Sequence, residues 1–394
     1  MISGMKQHPI FAVMLREAER IKHNPAYRFL LFGGPLVGIM LLFFIFHQGV
    51  AKKLPVAVVD QDNSALSIKV SNALNASSDV AIVEIVEDMF QAEELLKQSV
   101  VDAIVLLPKG LEKNVFQGIQ APVPVYINGT NVTVAGVVQR SVVTTLGTLS
   151  GGVQLKKLML AGKNQEQAMA RVVPVDIQKH ILFNPYSNYG YFLNSAMLYF
   201  TLFLFAFMSS VYTFGNELKR GTGLNLLETG NNSVRLAIAG KLFPYSLIFS
   251  GFAMVIAFLL YKVEGMPLKG SFTILFAGQF ITIVAYQLLG LMFVALTKNM
   301  RLSLSVGSAY IMMGITFSGL TFPMEGMPRL VRIITSVFPF TWWEKLFISQ
   351  SLRGAPVQEA LPYICYILIF MLLGVASFKM YKRTLGDSKY WGKS

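Results

Sequence analysis

Three places in the chain set a lysine directly after a glycine: Gly162-Lys163, Gly240-Lys241 and Gly392-Lys393. That pair seeds a phosphate-cradling loop. The loop also needs a glycine five positions earlier, so that backbone N–H groups can wrap the phosphates. None of the three has it, so the chain does not hydrolyse ATP by that route. The four histidines, His8, His23, His47 and His180, are scattered. None belongs to an H-E-x-x-H pattern, and no G-x-S-x-G elbow is present. Each is expected at a surface or interface. The one cysteine, Cys365, lies in an apolar run and is expected to pack rather than attack. It allows no disulfide within one chain. Asp60, Asp62 and Asn63 in "VVDQDNSALS" offer oxygen ligands for Ca²⁺. The ligand spacing and distal Glu of a calcium loop are missing, and a turn with a helix N-cap is the better account. No glycine fingerprint follows that strand, so nucleotide binding is not expected there. No catalytic residue, metal or cofactor is implied.

The elements around these residues explain why chemistry is scarce. The chain has 394 residues, 54% of them hydrophobic and only 14% charged, against roughly 25% charged in soluble domains. This composition fits an integral membrane protein. Six stretches have the about 20 apolar residues that cross a bilayer: 29–46, 191–214, 242–261, 272–296, 302–322 and 360–378. None contains Asp, Glu, Lys or Arg. Ion-coupled carriers place ionisable groups inside the membrane, so such coupling is not expected. Sodium sites built from carbonyls and hydroxyls stay open, as does a channel. An intramembrane enzyme finds no paired carboxylate.

Net charge is +13, but the segment 48–187 holds 12 bases and 12 acids. The excess sits in short loops. Residues 1–28, 215–241, 297–301 and 379–394 carry 16 bases; 262–271 and 323–359 carry 6. Basic short loops stay cytoplasmic. Both termini are therefore expected inside and the neutral segment outside. The basic excess then reports topology and contact with anionic membrane lipids, with no nucleic acid implied.

The expected architecture is a polytopic α-helical membrane protein of six transmembrane helices, with a mixed α/β extracytoplasmic domain between helices 1 and 2. Residues 1–28 form a cytoplasmic amphipathic segment. In it Phe11, Met14, Leu15 and Ala18 share one helical face and Arg16 and Arg20 the other, which suits a helix on the inner membrane surface or a cytoplasmic cap. Transmembrane helix 1 covers 29–47 and the α/β domain 48–187. Helices 2–6 fill 188–381, and 382–394 is a cytoplasmic tail. In the α/β domain, strand patterns at 54–60, 80–87, 101–107 and 123–129 alternate with helical ones. A longer helix is expected over about 131–160, and a last strand in "RVVPVDIQKHILF". The segment 323–359 is expected to re-enter or lie on the outer leaflet, with Trp342 and Trp343 at the water interface.

In the fifth span Ser303, Gly307, Gly314 and Ser318 share a narrow sector. Small residues let backbones approach, either within the chain or at a dimer interface beside a translocation path. Asn194, Gln279 and Gln287 need hydrogen bonds in the membrane, as glue between helices or as a polar patch on a substrate path. The substantial cytoplasmic connector between spans is 215–241, with "NELKRGTGLNLLETG" at its core.

This pattern resembles the permease subunits of ABC-2 type (type-2 ABC) exporters, in the branch with a large external domain. The likeness rests on "VAVVDQDNSALS", "FNPYSNYGYFLNSAM", "NELKRGTGLNLLETG", "SGLTFPMEGMP" and "FPFTWWEKLFISQSLRG", in that order. It implies a transporter permease without its own ATPase site, in the bacterial cytoplasmic (inner) membrane. It implies cytoplasmic ABC ATPase subunits as the motor, a second permease copy or paralogue, and outward movement of a drug-like, lipid or other amphipathic substrate. By the same resemblance the connector couples to the ATPase through Glu217, Lys219, Arg220, Gly221, Thr222 and Leu226, with Leu224 and Leu227 near. Helices two and five line the central interface, which puts Asn194, Ser303, Gly307, Gly314 and Ser318 there. Family members often have Pro-Gly near the start of helix two, where this chain has Asn194-Ser195. The external domain would suit a periplasmic adaptor. The competing reading is a membrane-anchored sensor or assembly protein whose external domain binds a partner.

Overall fold

The computed structural model describes residues 8–47, 49–174, 180–185 and 188–392. Contacts divide the chain into two units. One is Val50–His180; the other is formed by the chain up to Gly49 and from Ile181 onward.

The helical unit opens with α1 (Pro9–His23), which has proline in its first turn and bases in its last. Both placements suit the helix dipole and the missing proline N–H. Asn24 ends it and caps the next helix, its side chain accepting from Ala26 N at 2.9 Å. That helix, α2 (Pro25–Phe46), contains a widened π-turn at Phe29–Gly33.

The Val50–His180 unit runs β1 (Leu54–Asp60), α3 (Ala65–Asn75), β2 (Val80–Val86), α4 (Met89–Lys97), β3 (Ala103–Leu107), α5 (Leu111–Gln117), β4 (Val125–Ile127), α6 (Val132–Leu160) and α7 (Gln165–Val172). Its sheet has the order β2-β1-β3-β4. β1 is parallel to β2 and β3, and β4 is antiparallel to β3. Side chains alternate across the sheet. Val56, Val58, Ala103, Val105 and Leu107 pack with α3 and α6 through Val70, Leu74, Val138 and Val142. Val59 and Ile104 face the other way, onto Ala92 of α4. The sequence pattern missed α5 and α7, both short. The strand expected over 171–183 is corrected in part, because Arg171 and Val172 close α7; 175–179 lie outside the described residues, as do Gln48, Tyr186 and Ser187. The cap of α3 is Ser64, not the Asp60–Asn63 turn. Asp60 and Asp62 instead accept from backbone N–H groups, Asp62 from Gly110 at 2.7 Å and Glu112 at 3.0 Å.

The helical unit continues with α8 (Gly190–Lys219), α9 (Gly223–Thr229), α10 (Val234–Val263), α11 (Phe272–Thr297) and α12 (Met300–Phe317). Then come α13 (Arg329–Thr335), α14 (Pro339–Phe347), α15 (Val357–Ala376) and α16 (Phe378–Gly386). α8 is the central helix. Of its most apolar stretch 67% is buried, against 28% for α2, as expected of a helix enclosed on all sides. Phe203 of α8 stacks on Tyr286 of α11 with ring centroids 5.1 Å apart. Gly290 lets these helices approach, since a Cβ there would lie 2.9 Å from the Phe207 carbonyl.

Among the described residues six helices are long and apolar enough to cross a membrane. Five match expected spans. The sixth is α6, which packs on the sheet, whereas the expected span 302–322 becomes α12, whose 18 residues stop at Phe317. At 1.5 Å per residue α12 is about 27 Å long. Two further expectations are corrected. Trp343 is fully buried, its Nε1 donating to Gln279 Oε1 at 2.6 Å; its rings meet Tyr199, Phe203 and Phe340 rather than an interface. Cys365 is exposed, not packed.

Candidate functional site

The connector after α8 is built by backbone geometry. Gly221 adopts a left-handed φ of 64° and ends α8. α9 follows at once, and Asn231 and Asn232, both with φ 55°, turn the chain into α10. Asparagine tolerates that region better than most residues. Ser233 caps α10.

Behind the connector lies a buried cluster of charges. Glu217, at the end of α8, is fully buried. It accepts from Arg16 Nη1 at 2.9 Å and Nη2 at 3.0 Å, in a bidentate fork. Arg20 also bonds it. Lys241 of α10 reaches it at 2.6 Å and Thr222 Oγ1 at 2.5 Å. The same Lys241 Nζ bonds Glu17 of α1 at 2.5 Å, and Tyr245 and Thr213 donate to Glu17 at 3.1 and 3.2 Å. Three cations thus enclose two carboxylates, linking α1, α8 and α10. Burial strips these charges of water, so each is tolerable only because its partners replace those hydrogen bonds. A cavity of about 570 Å³ opens beside the cluster, lined by Arg16, Arg20, His23, Tyr27, Asn216 and Arg220 among others. The α16 region closes the other flank. Tyr381 donates to the Phe214 carbonyl at 2.9 Å, Leu385 packs on Gly223 and Trp391 on Gly221.

These contacts sort the residues expected on the connector. Lys219, Arg220 and Leu224 are exposed. Glu217, Leu226 and Leu227 are buried, and Gly221 and Thr222 are half-buried. Glu217 and Leu226 therefore offer no surface; they hold the connector from behind. Sequence reasoning missed the exposed Asn225 and Glu228, and missed Glu17 and Lys241. A lone acid between Arg16 and Arg20, and a lysine beside an apolar span, were the available signals.

The residues expected on an interface are also held within the chain. Ser303 is buried and shares a 2.6 Å hydroxyl contact with Thr297. A Cβ on Gly307 would stand 2.4 Å from the Phe207 ring. Gly314 faces Phe338, and Ser318 is buried beside Glu344. The small-residue face of α12 is thus filled by α8 and the α13–α14 region. Gln287 accepts from Ser246 at 2.6 Å, gluing α10 to α11.

Asn194, at the opposite end of α8, is fully buried and donates to Glu264 Oε1 at 3.0 Å. Glu264 lies just beyond α10. Burial pushes its carboxyl up to about 7. Burial likewise pushes Glu344, on α14, up to about 7. Oε2 of each acid has no hydrogen-bond partner among the described residues. Among those residues no cluster of three His, Cys, Asp or Glu is placed to hold a metal ion.

A family model described as ABC-2 family transporter protein matches residues 25–379. The probable multidrug ABC transporter permease YbhS of Escherichia coli K12 is 22% identical over 91% of this chain and 94% of its own length. The linearmycin resistance permease protein LnrN of Bacillus subtilis 168 is 24% identical over 91% of this chain and 95% of its own. The inner membrane transport permease YhhJ of Escherichia coli K12 is 21% identical over 84% of this chain.

Proposed function

Because the chain belongs to the ABC-2 family of transporter proteins, we propose that it is the permease of an exporter whose ATPase is a separate polypeptide. Members of this family are transport subunits of multi-pass inner-membrane type, not enzymes themselves. On this reading the connector, α1 and both termini face the cytoplasm, and the Val50–His180 unit lies outside. The motor docks on Lys219, Arg220, Leu224, Asn225 and Glu228, the exposed residues of the connector. A second copy or paralogue completes the pathway, and the outer unit is free to meet a periplasmic adaptor. Relatives named for multidrug transport and linearmycin resistance support an amphipathic drug or lipid as the class of substrate.

One observation carries the coupling role. Glu217 sits directly behind the connector and is gripped at once by Arg16 and Arg20 of α1 and Lys241 of α10. A push on the connector therefore moves three helices together. The half-buried Arg16 and Arg20 also leave Leu15 and Ala18 exposed on the other side of α1, an apolar strip suited to lipid. The test uses Lys219→Glu with Arg220→Glu, co-expressed with the ATPase that co-purifies with the wild type. Transport and stimulated ATP hydrolysis should fall together while the permease still inserts and folds. Wild-type transport by this variant would sink the docking surface.

A further inference from the structure

The Val50–His180 unit contains a cavity of about 850 Å³, within the size range of small-molecule sites. One wall is a single face of α6, where Val143, Leu146, Gly147, Ser150, Val153 and Lys157 recur at helical spacing. The opposite wall is Leu66 and Val70 of α3, Leu111 and Val115 of α5, and Val125 of β4. From Val143 to Lys157 the helix rises about 21 Å, the reach of a long alkyl chain. Among the described residues Lys157 is the one charged residue that lines the cavity. Its Nζ is pinned at one end by a 3.1 Å hydrogen bond to the Val115 carbonyl, which leaves further ammonium donors. The space is an apolar trough with a fixed cation at its end.

We propose that this trough binds a single-chain amphiphile with an anionic head, the alkyl tail lying along α6 and the head meeting Lys157. The tail gains from leaving water, and the half-buried ammonium selects the negative head by a charge-assisted hydrogen bond. The proposal stands apart from the exporter reading, because binding needs neither ATP nor a partner, so the two can fail separately.

The full chain in nanodiscs is titrated with 11-(dansylamino)undecanoic acid, and binding is followed by fluorescence. Gly147 has no atom within 4 Å of a Cβ built on it, nor does Gly136, which lies outside the trough on the same helix. Gly147→Phe should abolish the saturable signal and leave bilayer partitioning, while Gly136→Phe should bind as the wild type does. Lys157→Gln leaves the packing in place and should weaken the acid about tenfold, the effect of one charge-assisted bond. The methyl ester of the probe should bind the wild type about tenfold more weakly for the same reason. Equal saturable binding by Gly147→Phe would overturn the site. An ester that binds as tightly as the acid, or full affinity in Lys157→Gln, would overturn the anionic head.

Discussion

The two ends of α8 hold acids in opposite ways: Glu217 and Glu17 are fully buried, Glu264 half-buried. At the connector end, Glu217 and Glu17 are enclosed by Arg16, Arg20 and Lys241, and hydroxyls fill the remaining positions. At the other end, Glu264 has the Asn194 amide and no cation within bonding distance among the described residues, and its carboxyl is pushed up to about 7. The first arrangement locks α1, α8 and α10 together. The second sheds its charge near neutrality. A carboxylate drawn out of water is thus a clamp or a titrating group according to whether cations from other helices reach it.

The largest way to break this comparison is Lys241→Met. It removes the cation shared by the two carboxylates, leaves Glu17 without its hydrogen-bonding cation, and should cost about 3–5 kcal/mol, read as a large drop in the thermal midpoint of the purified permease. Adding Glu17→Gln should recover part of the loss, because one orphaned charge is then gone. A single variant that melts like the wild type would show that the cluster is no clamp.

At the other end, Glu264→Leu leaves the Asn194 amide without its acceptor. About 1–3 kcal/mol should be lost, less than for Lys241→Met in the same assay. An equal or greater loss would reverse the ranking of the two ends.

The pH profile sharpens the contrast further. The ordinary value for Glu264 and Glu344 is 4.5, and burial raises both to about 7. The unfolded chain ionises above about pH 4.5 while the folded one keeps its protons until about pH 7. Unfolded chains therefore bind fewer protons in that window, and stability falls as pH rises through it. Thermal midpoints of Glu264→Gln with Glu344→Gln should be flatter than the wild type between pH 4.5 and 7. An unchanged slope would assign the titration elsewhere.

The smallest effect concerns the exposed connector. Lys219 and Arg220 are exposed, so Lys219→Glu and Arg220→Glu should shift stability by about 0.5 kcal/mol or less. A midpoint loss approaching that of Lys241→Met would mean that these residues belong to the clamp rather than to a docking face.

Much of this fold was legible from periodicity alone. Long apolar runs gave the helices of the membrane unit, and alternating Val and Ile marked the strands, because each pattern repeats within a few residues. Local pattern did not show α12 stopping at Phe317, nor Trp343 turned into the core. A Trp-Trp pair looks interfacial until the aromatic surface of α8 is brought against it. The small residues of α12 signalled close approach, and left open whether the partner lay within the chain or in a second copy. Glycines report that something comes near, and only packing says that it is Phe207 of the same chain.

For the connector, the sequence by itself determined the turn and its composition. Gly221 and the two asparagines are the residue types that tolerate a left-handed backbone, and that preference is local. The tertiary structure alone decided that Glu217 faces inward while Lys219 and Arg220 face outward. Its partners lie 201 positions away at Arg16 and 24 away at Lys241. Charges that far apart along the chain can be assigned to one another only once the helices carrying them are packed.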